Sequence, residues 1–202
     1  MIKRTSKTFV DNTIKNNPKW NILDIGCGYT AHKNASVICD IQDLSYFYKD
    51  KEFVKLNSKT LPFRDKEFDF VIASHVLEHV EDVDTFINEL ERISTKGYIE
   101  LPTKLEDNLV FENKKDHLWQ MEFDDVENNL IISKRIQFIE PIITVSSAKL
   151  FSKFFKQSLN LELFWENSID YKVLKKNIEV YKISRLVLFR KFLSKLIRNI
   201  IR

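Results

Sequence analysis

Short, nearly continuous apolar runs recur through the first half of the chain and predict buried β-strands. Runs of this length and composition are typical of parallel strands that are covered on both faces of a sheet. They occupy residues 20–24, 36–40, 53–56, 68–74 and 98–101. A helix is predicted between the last two runs, because its apolar side chains repeat at helical spacing and acidic residues precede them. The apolar stripe is Phe86, Ile87, Leu90 and Ile93, and the candidate capping residues are Asp82 and Asp84.

The second half of the chain has a different pattern, in which short strands flank polar turns. Residues 118–123 and 130–134 predict a hairpin inserted at about 112–136, and residues 146–158 predict an amphipathic helix. Residues 161–165 and 171–174 predict a closing antiparallel hairpin. The fold class is therefore α/β, with a Rossmann-like, doubly wound and mostly parallel seven-stranded sheet.

Composition and charge divide the chain into two parts. The 202 residues are 44% hydrophobic and 30% charged, which fits one soluble domain, predicted here as residues 1–178. The net charge is +3, but residues 180–202 hold seven Lys and Arg side chains and no acid. The remainder is net acidic, so we expect no DNA binding by the main domain. Residues 179–202 are predicted to form a separate basic amphipathic helix.

Two cysteines and the absence of a long apolar segment bear on location. No run of about 18 apolar residues occurs, and the N-terminal residues show no signal-peptide pattern. We therefore expect a reducing, cytoplasmic setting and no disulfide between Cys27 and Cys39.

The glycines point to a ligand-binding turn. The chain has only three, and two of them, Gly26 and Gly28, follow the first predicted strand. Glycine allows positive φ and a close approach of the backbone to a ligand. Asp40 ends the next predicted strand, where a carboxylate can accept hydrogen bonds from both hydroxyls of a ribose. The pattern predicts a nucleoside-containing ligand.

This arrangement resembles the first motif of the class I S-adenosylmethionine (SAM)-dependent methyltransferases, an acid followed by Gly-x-Gly. The stretch that carries the resemblance is Asp24-Ile25-Gly26-Cys27-Gly28. The resemblance implies that Asp24 and the backbone of Gly26, Cys27 and Gly28 hold the methionine part of SAM. It further implies that Asp40 holds the ribose and that Ile41 lies against the adenine. The product would be S-adenosylhomocysteine (SAH).

Further ordered matches extend the resemblance to roughly residues 20–102. Asn57, followed by Ser58, stands where the family often has an aspartate that contacts the adenine amino group, and the amide oxygen of Asn57 can still accept a hydrogen bond. The segment that begins at Ser74 and His75 resembles the segment that lines the methyl-transfer site. These four residues complete the predicted cofactor site.

Two departures from the family pattern leave alternatives open. Thr30 replaces a frequent third glycine, and residues 29–35 leave little room for a full helix. A nicotinamide cofactor needs that helix N-terminus for its pyrophosphate, so the short segment favours SAM. The same departures are compatible with a non-catalytic SAM-binding scaffold or partner subunit.

Histidines are the candidate catalytic residues. His75 and His79 fall in the segment expected near the sulfonium, and His117 lies in the region expected to recognise substrate. A base assists methyl transfer to a hydroxyl, and histidine has a suitable pKa. No metal is assigned, although His75, Glu78 and His79 are predicted to share one helical face and, with His117, leave a divalent-metal alternative open. A purely structural role for these histidines is the competing interpretation.

The substrate prediction is a small molecule or glycan, methylated on oxygen, by resemblance to small methyltransferases of surface-polysaccharide and secondary-metabolite pathways. The basic segment 183–202 has three candidate roles. It can lie against the inner face of an anionic membrane, pack on the domain or on a second subunit as a homo-oligomer, or bind RNA.

Overall fold

The computed structural model describes residues 1–58, 60–174 and 182–200, without the side chain of Ile200. Lys59, the predicted domain boundary at 178/179, and Arg202 of the basic segment lie outside the described residues. The chain forms ten strands and six helices in these ranges. The strands are β1 (Ile2–Arg4), β2 (Ile22–Ile25), β3 (Val37–Asp40), β4 (Glu52–Lys55), β5 (Phe70–Ser74), β6 (Lys96–Pro102), β7 (Trp119–Asp124), β8 (Asn129–Lys134), β9 (Asn160–Glu166) and β10 (Tyr171–Leu174). The helices are α1 (Lys7–Asn16), α2 (Val83–Ile93), α3 (Lys104–Leu109), α4 (Asn113–Asp116), α5 (Val145–Leu159) and α6 (Arg185–Ile200).

Seven strands form the main sheet in the order β1-β9-β6-β5-β2-β3-β4. The five predicted apolar runs become β2 to β6, and each neighbouring pair among them is parallel. All side chains of β2 and β3 are buried, as expected of strands with both faces covered. The predicted Rossmann-like, mostly parallel sheet is confirmed.

The closing hairpin was predicted wrongly. Strand β9 does pair antiparallel with β6, but its outer edge is taken by β1, with Ile2 opposite Trp165. The N-terminal segment supplies this seventh strand, and Ile2 is fully buried. Because β1 already hydrogen-bonds that edge, β10 cannot fold back on it.

Strand β10 instead joins a second, three-stranded sheet in the order β10-β8-β7. Strands β7 and β8 form the predicted inserted hairpin, with Met121 opposite Ile132. Strand β10 runs parallel to β8, and Leu130 N donates to Asp170 O at 2.9 Å at the start of this pairing. The insertion is therefore held to the C-terminal part of the domain.

The helices follow local sequence signals. Asp82 caps α2 by accepting a hydrogen bond from Thr85 N, and the predicted apolar stripe is buried. Helix α5 matches the predicted amphipathic helix, with non-helical backbone at Phe155. Helix α1, capped by Ser6, has no counterpart in the sequence-based prediction. Residues 26–36 contain no helix, in agreement with the predicted short connection.

The parallel strands bring the predicted site residues to one edge of the main sheet. The carboxyl ends of β2, β3, β5 and β6 lie side by side, and ligands bind at this edge in open α/β sheets. None of the helices in the described ranges is long and apolar enough to cross a membrane.

Candidate functional site

The turn after β2 is shaped by its two glycines. Gly26 and Gly28 have φ of +64° and +48°, in the left-handed region that side chains disfavour. A Cβ on Gly26 would lie 2.5 Å from Val76 Cγ2, so this turn touches the segment that follows β5. A Cβ on Gly28 would meet nothing within 4 Å. Gly28 therefore borders open space, into which a ligand can approach the backbone.

Asp40 ties this turn to β3. Its Oδ2 accepts a hydrogen bond from Gly28 N and its Oδ1 accepts one from Gln42 N, both at 2.9 Å. Tyr48 supports the same turn, because its hydroxyl donates to Gly28 O at 2.8 Å and accepts from Ala31 N at 3.0 Å. Ile41 follows with 76% of its surface exposed. An exposed apolar side chain beside this carboxylate would fit a nucleoside.

Asp24 is the buried acid of the site. Its Oδ2 accepts a hydrogen bond from His32 N at 2.6 Å. Burial raises the pKa of Asp24 to about 6, although the His32 amide and nearby cations act in the opposite direction. A cationic ligand group would stabilise the ionised form. The ammonium of a methionine moiety is such a group, so this carboxylate fits SAM.

The cysteines are free thiols and both are buried. Burial, reinforced by the carboxylates of Asp24 and Asp40, raises the pKa of Cys27 to about 12. Burial likewise raises the pKa of Cys39 well above its ordinary value. Because a thiolate is needed for attack, neither residue is suited to be a nucleophile.

The remaining predicted cofactor residues lie beyond β4 and at the end of β5. Asn57 and Ser58 are exposed, and Ser58 Oγ donates to Thr60 O at 2.7 Å. Ser74 Oγ donates to Glu100 Oε2 at 3.4 Å, across the parallel pair of β5 and β6. The sheet thus gathers the predicted cofactor residues along one edge, with Asn57 and Ser58 at its β4 side.

His75 has a special backbone conformation for a non-glycine residue. Its φ is +55°, directly after β5, and its amide donates to Glu100 O at 2.8 Å. Its Nδ1 lies 3.3 Å from Oε1 of the fully buried Glu78, while 43% of its own side chain is exposed. Burial lowers the pKa of His75, but the nearby carboxylate of Glu78, with the charges of Glu100 and Glu106, outweighs burial and raises it. Positive φ at such residues is frequent at functional sites.

His79 and His117 are in contact although they lie 38 positions apart in the chain. Their ring centroids lie 4.6 Å apart, edge to face. His79 Nδ1 lies 2.9 Å from the carbonyl oxygen of Asp116, and His117 Nδ1 bonds Oδ1 of the fully buried Asp107. Together with His75, the three predicted catalytic histidines form one cluster beside the glycine turn.

Three acids of this cluster were missed by the sequence-based prediction: Glu100, Glu106 and Asp107. Burial raises the pKa of Glu106 to about 7, and neighbouring histidines and acids alter it further. Its Oε2 accepts no hydrogen bond from the described residues. The available signal was position, since Glu106 and Asp107 open the helix that directly follows β6.

Trp119, two residues after His117 in the chain, belongs to the core. It is 9% exposed, and its indole Nε1 donates to Val80 O at 2.8 Å. Lys134 Nζ lies 3.8 Å from the ring centroid on its outer side. The ring therefore packs against the segment after β5 and is tied to it by this hydrogen bond.

A family model described as a methyltransferase domain matches residues 23–99. This part of the chain is therefore similar to methyltransferase domains, as the resemblance of its motifs predicted. The matched range begins in β2, includes the glycine turn and Asp40, and ends in β6. The match of this range to a methyltransferase domain supports methyl transfer as the general activity and SAM as the methyl donor.

Individual proteins are similar to this chain over different shares of its length. An uncharacterized protein of Methanocaldococcus jannaschii is 29% identical over 156 residues, which cover 69% of this chain and 68% of that protein. A SAM-dependent methyltransferase structure from Methanosarcina mazei is 15% identical, with a TM-score of 0.47. The match covers 83% of this chain and 100% of that one. One from Mesorhizobium loti is 18% identical, with a TM-score of 0.38. The match covers 45% of this chain and 50% of the Mesorhizobium loti protein, so this chain spans about half the length of that protein.

Proposed function

We propose that this methyltransferase methylates an oxygen of a small-molecule or glycan acceptor and that His75 is the general base. The observation that carries the proposal is the placement of His75. It follows β5 with positive φ, is partly exposed, and lies against the buried carboxylate of Glu78. An oriented histidine at the cofactor edge of the sheet is what a hydroxyl acceptor requires.

The chemistry follows from which ring nitrogen is free. The Glu78 carboxylate lies 3.3 Å from His75 Nδ1 as an ion-pair partner, which favours the proton of the neutral ring on Nδ1 and leaves Nε2 unprotonated. As the acceptor oxygen forms its bond to the methyl carbon, the carbon–sulfur bond of SAM breaks and SAH leaves. The hydroxyl proton passes to His75 Nε2. Most of the rate gain comes from alignment, and the base adds to it.

The acids of the cluster support a hydroxyl-rich acceptor. Glu100 is buried at the end of β6, and Oε2 of Glu106 is buried without a hydrogen-bond donor among the described side chains. Buried carboxyl groups are stabilised by donors that a ligand brings. A sugar or polyol offers several O–H donors, whereas a purely apolar acceptor offers none.

His75→Asn tests the base. Asparagine tolerates positive φ, so the backbone is retained while the proton acceptor is lost. We expect kcat to fall by about 10²- to 10⁴-fold and the affinity for SAH to change far less. The measurement is SAH release over a panel of polyols, glycans, lipid-linked glycans, carboxylic acids and amines, with calorimetric titration of SAH alongside.

His32→Asn is the matched control, because the His32 side chain pairs with Asp11 outside the cluster. Turnover of His75→Asn equal to that of the unsubstituted protein would refute the base. Methylated nitrogen in the product would refute the oxygen acceptor. SAH binding without turnover on any acceptor would favour the scaffold alternative.

We further propose that α6 holds the enzyme against an anionic membrane surface, next to a lipid-linked acceptor. Within the described ranges, α6 is tied to the domain at its start, where Arg185 pairs with Glu140 at 3.5 Å. Residues 189–199 are all exposed. The exposed apolar residues of one face are Leu186, Phe189, Phe192, Leu193, Leu196 and Ile197. The opposite face carries Lys191, Lys195 and Arg198, as interfacial helices do.

Vesicle binding tests the role of α6. Lys191→Gln with Lys195→Gln is expected to reduce partitioning by about 30-fold, since each basic residue contributes about 1 kcal/mol near an anionic surface. Phe189→Ser with Ile197→Ser is expected to reduce it as well. The measurement is co-sedimentation with phosphatidylcholine vesicles, with and without phosphatidylglycerol.

Phe154→Ser is the matched control, because Phe154 is 84% exposed on α5, outside the basic helix. Equal sedimentation of all variants would overturn the membrane proposal. A change from dimer to monomer in the α6 variants, without vesicle binding by any form, would assign the helix to a homo-oligomer contact instead.

A further inference from the structure

We propose that Glu78, His79 and His117 form a binding site for one divalent transition-metal ion, of which Zn²⁺ is the model. One ligand atom from each residue lies within 4.8 Å of the other two. Two imidazoles and one carboxylate, with a position left open, are a donor set that catalytic zinc sites use.

Both histidines are already oriented as metal ligands are. A carbonyl oxygen only accepts, so His79 Nδ1, 2.9 Å from Asp116 O, carries the proton. His117 Nδ1 likewise donates to the Asp107 carboxylate. In the neutral rings, Nε2 of each histidine is then a free lone-pair donor. Metal-binding histidines almost always donate their other ring N–H to a carboxylate or backbone carbonyl.

Glu78 supplies an independent observation. Its side chain is fully buried, yet neither carboxylate oxygen accepts a hydrogen bond from the described residues. His75, at 3.3 Å, faces Oε1 as an ion-pair partner. A buried carboxylate with so few donors is costly, and a bound cation would offset that cost.

Only small movements separate the present geometry from coordination. Donors about 2.0–2.2 Å from a tetrahedral zinc ion lie about 3.3–3.6 Å from one another. The side chains would therefore close by about an ångström, which rotation of the exposed His79 ring allows. Asp107 is fully buried and its partner His117 is nearly so, which keeps the other side of the site fixed.

The role of the ion rests on the proposed function. A divalent ion at this cluster would bind the acceptor hydroxyl at its open position and lower the pKa of that hydroxyl, so that His75 removes the proton more easily. The ion is not consumed, and the methyl donor remains SAM. Metal binding itself requires neither acceptor nor turnover, so it is measured separately.

The experiment is titration of Zn²⁺ and Co²⁺ into the full chain, purified without a histidine tag and stripped with chelator. We expect one ion to bind per chain. We also expect the bound Co²⁺ to show a visible absorption band that indicates a low coordination number. Glu78→Gln, His79→Ala and His117→Ala should each weaken zinc binding by about 10- to 100-fold. His32→Ala removes a histidine outside the cluster and should bind zinc as the unsubstituted chain does.

SAH binding by each variant verifies that the fold is retained. Stoichiometric zinc binding that survives all three substitutions, or that His32→Ala weakens equally, would overturn the site, as would the absence of stoichiometric binding. Loss of zinc binding with methyl transfer unchanged would refute the role in the reaction and leave the site. Zinc binding without turnover on any acceptor would refute the proposed function alone.

Discussion

Replacing Asp40 by alanine is expected to weaken SAH binding by about 100-fold or more. Two hydrogen bonds from ribose hydroxyls to a carboxylate contribute about 1.5 kcal/mol or more each, and 1.4 kcal/mol is tenfold in affinity. The substitution also removes the carboxylate that accepts hydrogen bonds from Gly28 N and Gln42 N. These two hydrogen bonds hold the glycine turn in place. Calorimetric titration of SAH gives the affinity directly.

Asp43→Ala is the matched control for this experiment. Asp43 is three residues further along the same loop and accepts hydrogen bonds only from Ser45 among those described, at its exposed Oδ1. We expect the SAH affinity of this variant to equal that of the unsubstituted chain. If Asp40→Ala retained full affinity, the ribose would have to lie elsewhere, and the assignment of this edge of the sheet to the cofactor would fail.

Asp24→Asn is expected to stabilise the ligand-free protein at pH 8 and to weaken SAH binding. The folded pKa of about 6 lies above the ordinary value of 3.8. The stability gained by protonation is therefore fully present below 3.8 and is lost as pH rises through 6. At pH 8 the buried charge costs up to about 3 kcal/mol. Asparagine carries no charge, and its oxygen still accepts from His32 N.

Thermal melting of the ligand-free proteins at pH 4 and pH 8 measures this effect. We expect Asp24→Asn to melt above the unsubstituted chain at pH 8 and close to it at pH 4. Asp43→Asn is the control, and we expect no gain from it at pH 8 because hydrogen bonds from Ser45 lower the pKa of Asp43. Equal melting temperatures for Asp24→Asn and the unsubstituted chain at pH 8 would show that the charge is not destabilising. A stability gain with unaltered SAH affinity would remove Asp24 from the cofactor site.

The burial of Asp24 has opposite consequences for folding of the ligand-free chain and for ligand binding. Asp24 is buried at the end of β2, where its charge opposes folding of the ligand-free chain. The same burial makes the carboxylate a strong partner for a cationic ligand, because opposite charges attract more strongly at low dielectric constant. Binding of SAM would therefore offset the free-energy cost of the buried Asp24 charge.

Several features were predictable because short segments determine them. The strands of the parallel core are nearly continuous apolar runs, and β2 ends at a turn whose positive φ angles require Gly26 and Gly28. The cap of α2 is a local hydrogen bond from Thr85 N to Asp82. The parallel arrangement then places Asp24 and Asp40 at one edge, since parallel strands end on the same side.

Other features were decided by contacts between distant segments. Whether β10 or β1 pairs with β9 depends on competition for one edge, which no local pattern reports. His79 and His117 lie 4.6 Å apart because the insertion folds back over the end of β5. The pKa of Glu106 is raised to about 7 because the folded chain excludes water from it.

The sequence by itself determined the predicted cofactor site, the glycine turn with Asp24 and Asp40, because backbone conformation and strand order are encoded locally. The tertiary structure decided the cluster that is proposed to face the acceptor. There, Glu78, His79 and His117 come from segments far apart in the chain, and their burial, partners and charge exist only once the insertion has packed against the sheet. Long-range packing sets the chemistry of such groups, since desolvation and proximity are properties of the folded chain.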